Sequence, residues 1–186
     1  MAIAISIRPF MLPTDKNVNG FSLVELIVTV AIAGILGSIA LPQYFHQVQR
    51  TRQNEAATSL SQIQVTIAAF VDEMGLLPKS WSDLNKITPL MTPDGPADQQ
   101  DFEWIKLAST SCTTPQNSGL AQQNQINCYK IFISETDQVY TLTAKPNNPK
   151  TENYNVMACL DLRTGSSDLK KGSHTTAIAI GNLQCI

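Results

Sequence analysis

The sequence has little charge and few of the side chains that usually do chemistry. Asp, Glu, Lys and Arg make up 15% of its 186 residues, and the formal net charge is −2. This balance excludes a globally basic nucleic-acid-binding protein, although it leaves room for a local basic patch. The polar surface depends instead on Gln, Asn, Ser and Thr, which is typical of a secreted protein.

Catalytic and metal-binding patterns are missing from the sequence. It has no GxSxG, HExxH or P-loop motif, and its two histidines, His46 and His174, are widely separated. The four cysteines, at positions 112, 128, 159 and 185, lack the CxxC spacing of zinc sites. We therefore expect no enzymatic activity, no metal and no cofactor.

A long apolar run lies near the N-terminus. The 21 residues from Phe21 to Leu41 carry a single charge, Glu25. A helix of this length crosses the hydrocarbon core of a membrane, about 30 Å at about 1.5 Å per residue. A carboxylate inside such a run is costly, so its presence indicates a function for Glu25.

Two ways of processing the N-terminus are open. Residues 1–20 contain two prolines and read as a leader rather than as a helix. A conventional signal peptide would be cut after the small residues Ser38 and Ala40, and the apolar run would be lost. That run is longer than the roughly 7–15 residues of an ordinary signal core and contains a glutamate. Cleavage between Gly20 and Phe21, which retains the run, is therefore favoured.

The segment GFSLVELIVTVAIAGILGSIALPQY, residues 20–44, resembles the class III signal of type IV pilins and of the related type II secretion pseudopilins. The resemblance implies that a prepilin peptidase cuts after Gly20 and methylates the new terminal Phe21. It also implies an assembly role for Glu25, and a helix that loosens or kinks at Gly34 and Pro42. The implied fold is the α+β pilin fold, a long N-terminal helix packed on a C-terminal antiparallel sheet.

The role of Glu25 also has a physical rationale. Cleavage after Gly20 places an amine at Phe21, one helical turn away. An unpaired carboxylate and an unpaired amine are both costly in an apolar medium, and pairing between neighbouring subunits removes both costs. The simpler alternative is a favourable interaction of Glu25 with the helix dipole, worth about 0.3–1 kcal/mol. The two interpretations are compatible.

We divide the chain into five parts: a leader (1–20), an apolar helix for the membrane or filament core (21–42), an amphipathic helix (43–74), a connecting loop (75–126), and an antiparallel sheet with a disulfide-closed C-terminal region (127–186). The amphipathic helix carries an apolar stripe at spacings of three and four, and Gly75 is the expected stop. The stripe comprises Ala56, Leu60, Ile63, Ile67, Phe70 and Met74.

Turn signals and β-branched residues predict the other elements. Trp81 and Leu84 are expected to anchor a short helix, and residues 101–110 to supply a short strand. A hairpin is predicted from strands 128–134 and 138–145, joined by the three residues 135–137. Further strands are predicted at 154–162 and 175–180.

The cysteines are expected to form disulfides, since they follow a membrane-targeting segment. Three pairings are possible. Cys112–Cys128 with Cys159–Cys185 is favoured, because each bond then closes a local loop.

The resemblance implies a structural subunit of a type IV pilus. Such a prepilin waits in the inner membrane as a single-pass protein, and an assembly platform then moves it into an extracellular helical filament with other pilins. Adhesion, twitching motility or DNA uptake would follow from the filament. One alternative is a type II secretion pseudopilin. Another is a membrane-anchored module that binds DNA or surface ligands through Lys170, Lys171 and His174, for which a solvated loop is the simpler interpretation.

Overall fold

The computed structural model describes residues 22–107 and 128–185. The chain divides into two compact units, one ending at Pro42 and the other beginning at Gln43. The described elements are two α-helices and seven strands: α1 (Leu23–Met74), α2 (Trp81–Asn85), β1 (Met91–Thr92), β2 (Gly95–Pro96), β3 (Ile105–Lys106), β4 (Tyr129–Thr136), β5 (Val139–Pro146), β6 (Val156–Asp161) and β7 (Ser166–Lys171).

The helix α1 is 52 residues long and includes Pro42. In the second unit it buries one face, whose members are Gln53, Ala56, Ala57, Leu60, Ile63, Thr66, Ile67 and Phe70. Met74 was predicted to continue this face, but it is 46% exposed, because the helix ends there and has no further turn to cover it. Gly75 follows with φ +66°, a left-handed conformation that glycine adopts without strain.

The main sheet has five strands in the order β3-β4-β5-β6-β7, and every neighbouring pair is antiparallel. The long helix followed by this sheet confirms the predicted α+β fold. The hairpin between β4 and β5 differs from the prediction, since Thr136 pairs with Val139 and only Asp137 and Gln138 form the turn. Both turn residues have positive φ, which gives a two-residue turn whose twist matches that of the strands.

The predicted strand at 175–180 is wrong. Those residues form no strand, and the fourth long strand is β7, from Ser166 to Lys171. The chain reverses at Gly165, whose φ is +71°, and β7 then pairs with β6 along its whole length. The apolar residues of the tail pack on a face of the sheet instead of joining its edge, as Ile178 and Leu183 do beside Met157.

The core of the second unit lies between α1, α2 and one face of the sheet. Three buried aromatic side chains donate hydrogen bonds to backbone carbonyl groups: Tyr140 Oη donates to Pro78 O at 2.8 Å, and Trp81 Nε1 donates to Glu103 O at 2.8 Å. Tyr129 Oη donates to Tyr154 O at 2.8 Å. Burial raises the pKa of Tyr129 and of Tyr140, so both phenols stay protonated donors.

A buried glutamine joins α1 to the end of β7. Gln53 Nε2 donates to Gly172 O at 2.8 Å and to Asn155 O at 3.3 Å. Gly172 in turn lies so close to the Asn153 carbonyl oxygen that an added Cβ would overlap it. The glycine is therefore required by close approach of two backbone segments and not by its own φ.

We predict that Gly172→Ala lowers the free energy of unfolding by about 1–3 kcal/mol, because the new methyl group forces the backbone of 153–155 away from Gln53. The measurement is urea unfolding of the full chain in nonionic detergent, followed by circular dichroism. Gly181→Ala is the matched control, since nothing lies within 4 Å of a Cβ at that position. Equal stability of the two variants would contradict the prediction.

Candidate functional site

The first unit presents an apolar surface on every side of α1. No described residue from 22 to 42 is buried. The large apolar side chains between Leu23 and Leu41 are between 49% and 74% exposed. A helix that is apolar all round needs cover from lipid or from other protein, since exposed apolar area costs about 25 cal/mol per Å².

Two hydroxyl groups in this segment, those of Thr29 and Ser38, are satisfied by the helix itself. Thr29 Oγ1 donates to Leu26 O at 2.9 Å, and Ser38 Oγ donates to Ile35 O at 2.7 Å. An unpaired hydroxyl would be costly in an apolar medium, and these bonds remove that cost without water. Thr29 and Ser38 can therefore enter a dry environment with their hydroxyl donors paired.

Glu25 is the exception in this surface. It lies in the first turn of α1, it is exposed, and the part of the chain that the structure describes offers it no ion-pair partner. Gly20 and Phe21, the predicted cleavage and methylation positions, lie outside the described residues. The site thus contains a carboxylate in an apolar surface whose predicted partner is an amine that cleavage would create.

The two predicted helix-loosening residues both lie inside α1. Nothing lies within 4 Å of a Cβ placed on Gly34, so no neighbouring side chain in the described structure requires a glycine there. Pro42 cannot donate a backbone hydrogen bond, and it stands at the boundary between the two units. A kink at either residue remains a prediction.

Among the described elements, α1 is the one helix long and apolar enough to cross a membrane, by length and composition. Its apolar window is near the N-terminus and has none of its residues buried within the protein. The core helix of a soluble protein would have this window covered. The exposed window is therefore consistent with a membrane or filament environment.

The cysteines lie in the second unit. Cys159, in the middle of β6, is bonded to Cys185 near the C-terminus, with 6.1 Å between their Cα atoms. Cys128 is also disulfide-bonded. Cys112, its predicted partner, lies outside the described residues.

The Cys159–Cys185 bond holds a segment that we name the C-terminal strap, residues 173–185. Apolar side chains of the strap, Ile178 and Leu183, pack with Met157 and the disulfide on the face of the sheet opposite the core. The side chain of Asn155 clamps the same segment: its Nδ2 donates to Ile178 O at 2.7 Å and its Oδ1 accepts from Ile178 N at 2.8 Å. Asn155 thereby does locally what a strand partner would do.

A second polar clamp lies further along the strap. The carboxylate of Asp168 on β7 accepts a hydrogen bond from Gln184 N at 3.0 Å and lies 3.4 Å from Lys170 Nζ. Partial burial acts to raise the pKa of Asp168, but the Gln184 N–H and Lys170 outweigh it, and the net shift is downward. Sequence reasoning missed both Asn155 and Asp168, because neither lies in a motif.

The predicted basic cluster in the tail is occupied by contacts within the protein. Lys170 Nζ donates to Asn182 O as well as meeting Asp168, and Lys171 Nζ donates to Asn54 Oδ1 at 2.9 Å. His174 packs edge-to-face on His46, with ring centroids 4.5 Å apart. These residues fasten β7 and the strap, so they do not form a free binding patch.

Comparison with known proteins gives matches to the N-terminal part of the chain. A family model described as a prokaryotic N-terminal methylation motif matches residues 15–41. The type IV major pilin protein PilA of Myxococcus xanthus is 41% identical over 55 residues, which are 30% of this chain and 25% of that protein. A fimbrial protein of Pseudomonas aeruginosa is 38% identical over 58 residues, 31% of this chain and 38% of that protein.

The type IV major fimbrial protein FimA of Dichelobacter nodosus is 38% identical over 53 residues, 28% of this chain and 34% of that protein. The matched segment thus spans between a quarter and two fifths of the length of these three relatives. No solved structure matches the chain.

The methylation motif places the N-terminal segment, residues 15–41, in the class of prepilin-like N-termini. Within that class, the segment is similar to those of type IV pilins and fimbrial proteins, and the resemblance of residues 20–44 to the type IV pilin family is confirmed. The relatives in these comparisons are named as pilins and fimbrial proteins, and the expectation that this chain is not an enzyme stays a prediction.

We predict that acid loosens the strap. Because the folded-state pKa of Asp168 lies below the ordinary value, its stabilisation is present above about pH 4 and is lost as the pH falls through the folded-state pKa. Asp168→Asn should therefore lower the free energy of unfolding at pH 7, and the loss of stability between about pH 5 and pH 2 should become smaller than in the parent. Urea unfolding across this pH range measures both effects.

Asp72→Asn on the exposed side of α1 is the matched control for this prediction, and it should leave the pH dependence unchanged. A parent-like pH dependence in Asp168→Asn would contradict the role of the Gln184 contact.

Proposed function

We propose that this protein is a structural subunit of a type IV pilus filament, cut by a prepilin peptidase after Gly20 and methylated at Phe21. One observation carries the proposal: the methylation motif at 15–41 includes the first part of α1, in which no described residue up to Pro42 is buried. The names of the relatives, pilins and fimbrial proteins, support the same conclusion.

The proposal follows from the two environments that can cover the apolar surface of the helix, the membrane and the filament core. Before assembly, the segment lies in the inner membrane, anchored as a single pass, with the second unit outside the cytoplasm. An assembly platform then transfers it to the extracellular filament. The transfer costs little, because the segment leaves one apolar medium for another formed by the same segments of other subunits. The paired hydroxyl groups of Thr29 and Ser38 are suited to both media.

Glu25 sets the register between subunits in this proposal. Its carboxylate pairs with the Phe21 amine of a neighbouring subunit, which removes two costly unpaired charges from the filament core. Such an ion pair forms only when neighbouring helices are offset along their axes by one particular distance. The apolar contacts between the helices have little preference for any offset, so the ion pair determines it. Adhesion, twitching motility and DNA uptake are the filament roles consistent with this architecture.

The first test is mass spectrometry of filaments sheared from intact cells. We expect this protein in the sheared fraction with methylated Phe21 as its first residue. The same terminus found only in the cell envelope would point instead to a type II secretion pseudopilin. A terminus at Leu41 would remove the core-forming helix and contradict the filament proposal.

The second test is Glu25→Gln. We predict normal cleavage after Gly20 and a reduction of incorporation into sheared filaments by about tenfold or more, because an uncompensated buried charge costs about 3–5 kcal/mol. Quantitative immunoblotting of the sheared and envelope fractions measures the ratio. Glu73→Gln, a matched loss of charge at an exposed position near the other end of α1, should assemble normally. Full incorporation of Glu25→Gln would rule out the pairing.

A further inference from the structure

The face of the sheet that points away from the core carries three lysines in one row. Lys106 on β3 pairs across the ladder with Lys130 on β4, and Lys130 pairs with Lys145 on β5. Adjacent strands lie about 4.8 Å apart, so the three side chains leave the sheet side by side. Like charges directly opposite each other on neighbouring strands are destabilising. The fold therefore contains a local repulsion that its own stability does not require.

The ammonium groups of this row are not used in ion pairs. No carboxylate of the described residues lies within 4.0 Å of the Lys106, Lys130 or Lys145 ammonium groups, whereas Lys86 and Lys170 have ion-pair partners. Acidic groups are present nearby. Glu152 lines the same cleft as Lys130 and Lys145, and Asp94 and Asp98 line the adjoining cleft beside Lys106. The row thus retains charge that is available to a ligand.

An aromatic platform stands next to the row. Trp104 stacks on Phe132, with ring centroids 5.2 Å apart and planes inclined by 22°. The indole of Trp104 is 47% exposed, although aromatic side chains of this size are usually more deeply covered. Phe132 supports one face of the indole and leaves surface available to a second flat group.

The two features share one cleft. A cavity of about 530 Å³ is lined by Trp104, Lys130 and Lys145, together with Pro146, Asn147, Pro149 and Glu152. A ligand in this cleft meets a flat aromatic surface and at least two ammonium groups at the spacing of adjacent strands. Such a ligand combines regularly spaced anionic groups with planar rings.

We propose that this surface, which we name the Trp104–Lys130 face, binds single-stranded nucleic acid. Stacking of an unpaired base on Trp104 and contact of successive phosphates with the lysine row account for both features, as in other sheet surfaces that bind single strands. An acidic polysaccharide has no aromatic ring, so it would leave the exposed indole of Trp104 without a stacking partner. The proposal does not depend on the pilus proposal.

The test uses the full chain in nonionic detergent and a fluorescein-labelled oligothymidylate of about 12 nucleotides, with binding followed by fluorescence anisotropy at several salt concentrations. Lys130→Gln should weaken binding and reduce the slope of log K against log salt by about 0.7, the value for one lost phosphate contact on a single strand. Lys79→Gln is the control of matched charge, because Lys79 is exposed in the connector outside the cleft.

Trp104→Leu tests the stacking contribution separately. Leucine still covers Phe132 but offers no ring, and we expect a loss of affinity of about fivefold or more with the salt slope unchanged. Binding should also quench the tryptophan fluorescence of the parent. The second tryptophan, Trp81, is buried, so Trp104→Leu should abolish the quenching.

Three results would overturn the proposal. They are absence of oligonucleotide binding at low salt, equal effects of Lys130→Gln and Lys79→Gln, and displacement of the oligonucleotide by polygalacturonate at equal charge concentration. The third would assign the face to an acidic polysaccharide. Incorporation of the same variants into sheared filaments is measured in parallel, so that failure of binding is distinguished from failure of assembly.

Discussion

A single helix has to satisfy two environments that place opposite demands on its side chains. Before Pro42, α1 is apolar on every side and no described side chain is buried; beyond Gln43 it buries one stripe and leaves its other faces polar. The first half therefore requires a medium that the chain itself does not supply, whereas the second half supplies its own core. The architecture of the protein follows from this division.

The second half of α1 organises the folded unit through polar as well as apolar contacts. Besides the buried stripe, Gln53 donates to the backbone at Asn155 and Gly172, and Gln64 Nε2 donates to Cys159 O at 2.7 Å. These side-chain amides connect the helix directly to backbone carbonyl groups of β6 and of the residues that flank β6 and β7. These two residues fix where the helix lies along β6 and β7.

The face of the sheet that points away from the core differs between its two ends. At β6 and β7 the strap is held by the disulfide, by Asn155 and by Asp168, and Lys170 there is engaged in contacts within the protein. At β3 to β5 the lysines have no ion-pair partner in the described structure, and Trp104 is half exposed. The contrast arises because only the contacts at β6 and β7 hold the C-terminal strap on the sheet.

The sequence determined what depends on neighbours along the chain. The apolar run, Glu25, the helical stripe up to Phe70, the stop at Gly75 and the strand pair 129–146 all follow from local composition and periodicity. The resemblance of the N-terminal segment to type IV pilins could also be identified there, because its motif is continuous.

The tertiary structure alone decided the rest. The polar segment 166–171 became a strand because β6 was beside it, and the apolar segment 175–180 did not, since Asn155 had already taken its backbone groups at Ile178. The clamp on the strap and the lysine row have the same origin. Their residues are distant in the chain, and antiparallel register is what brings them together.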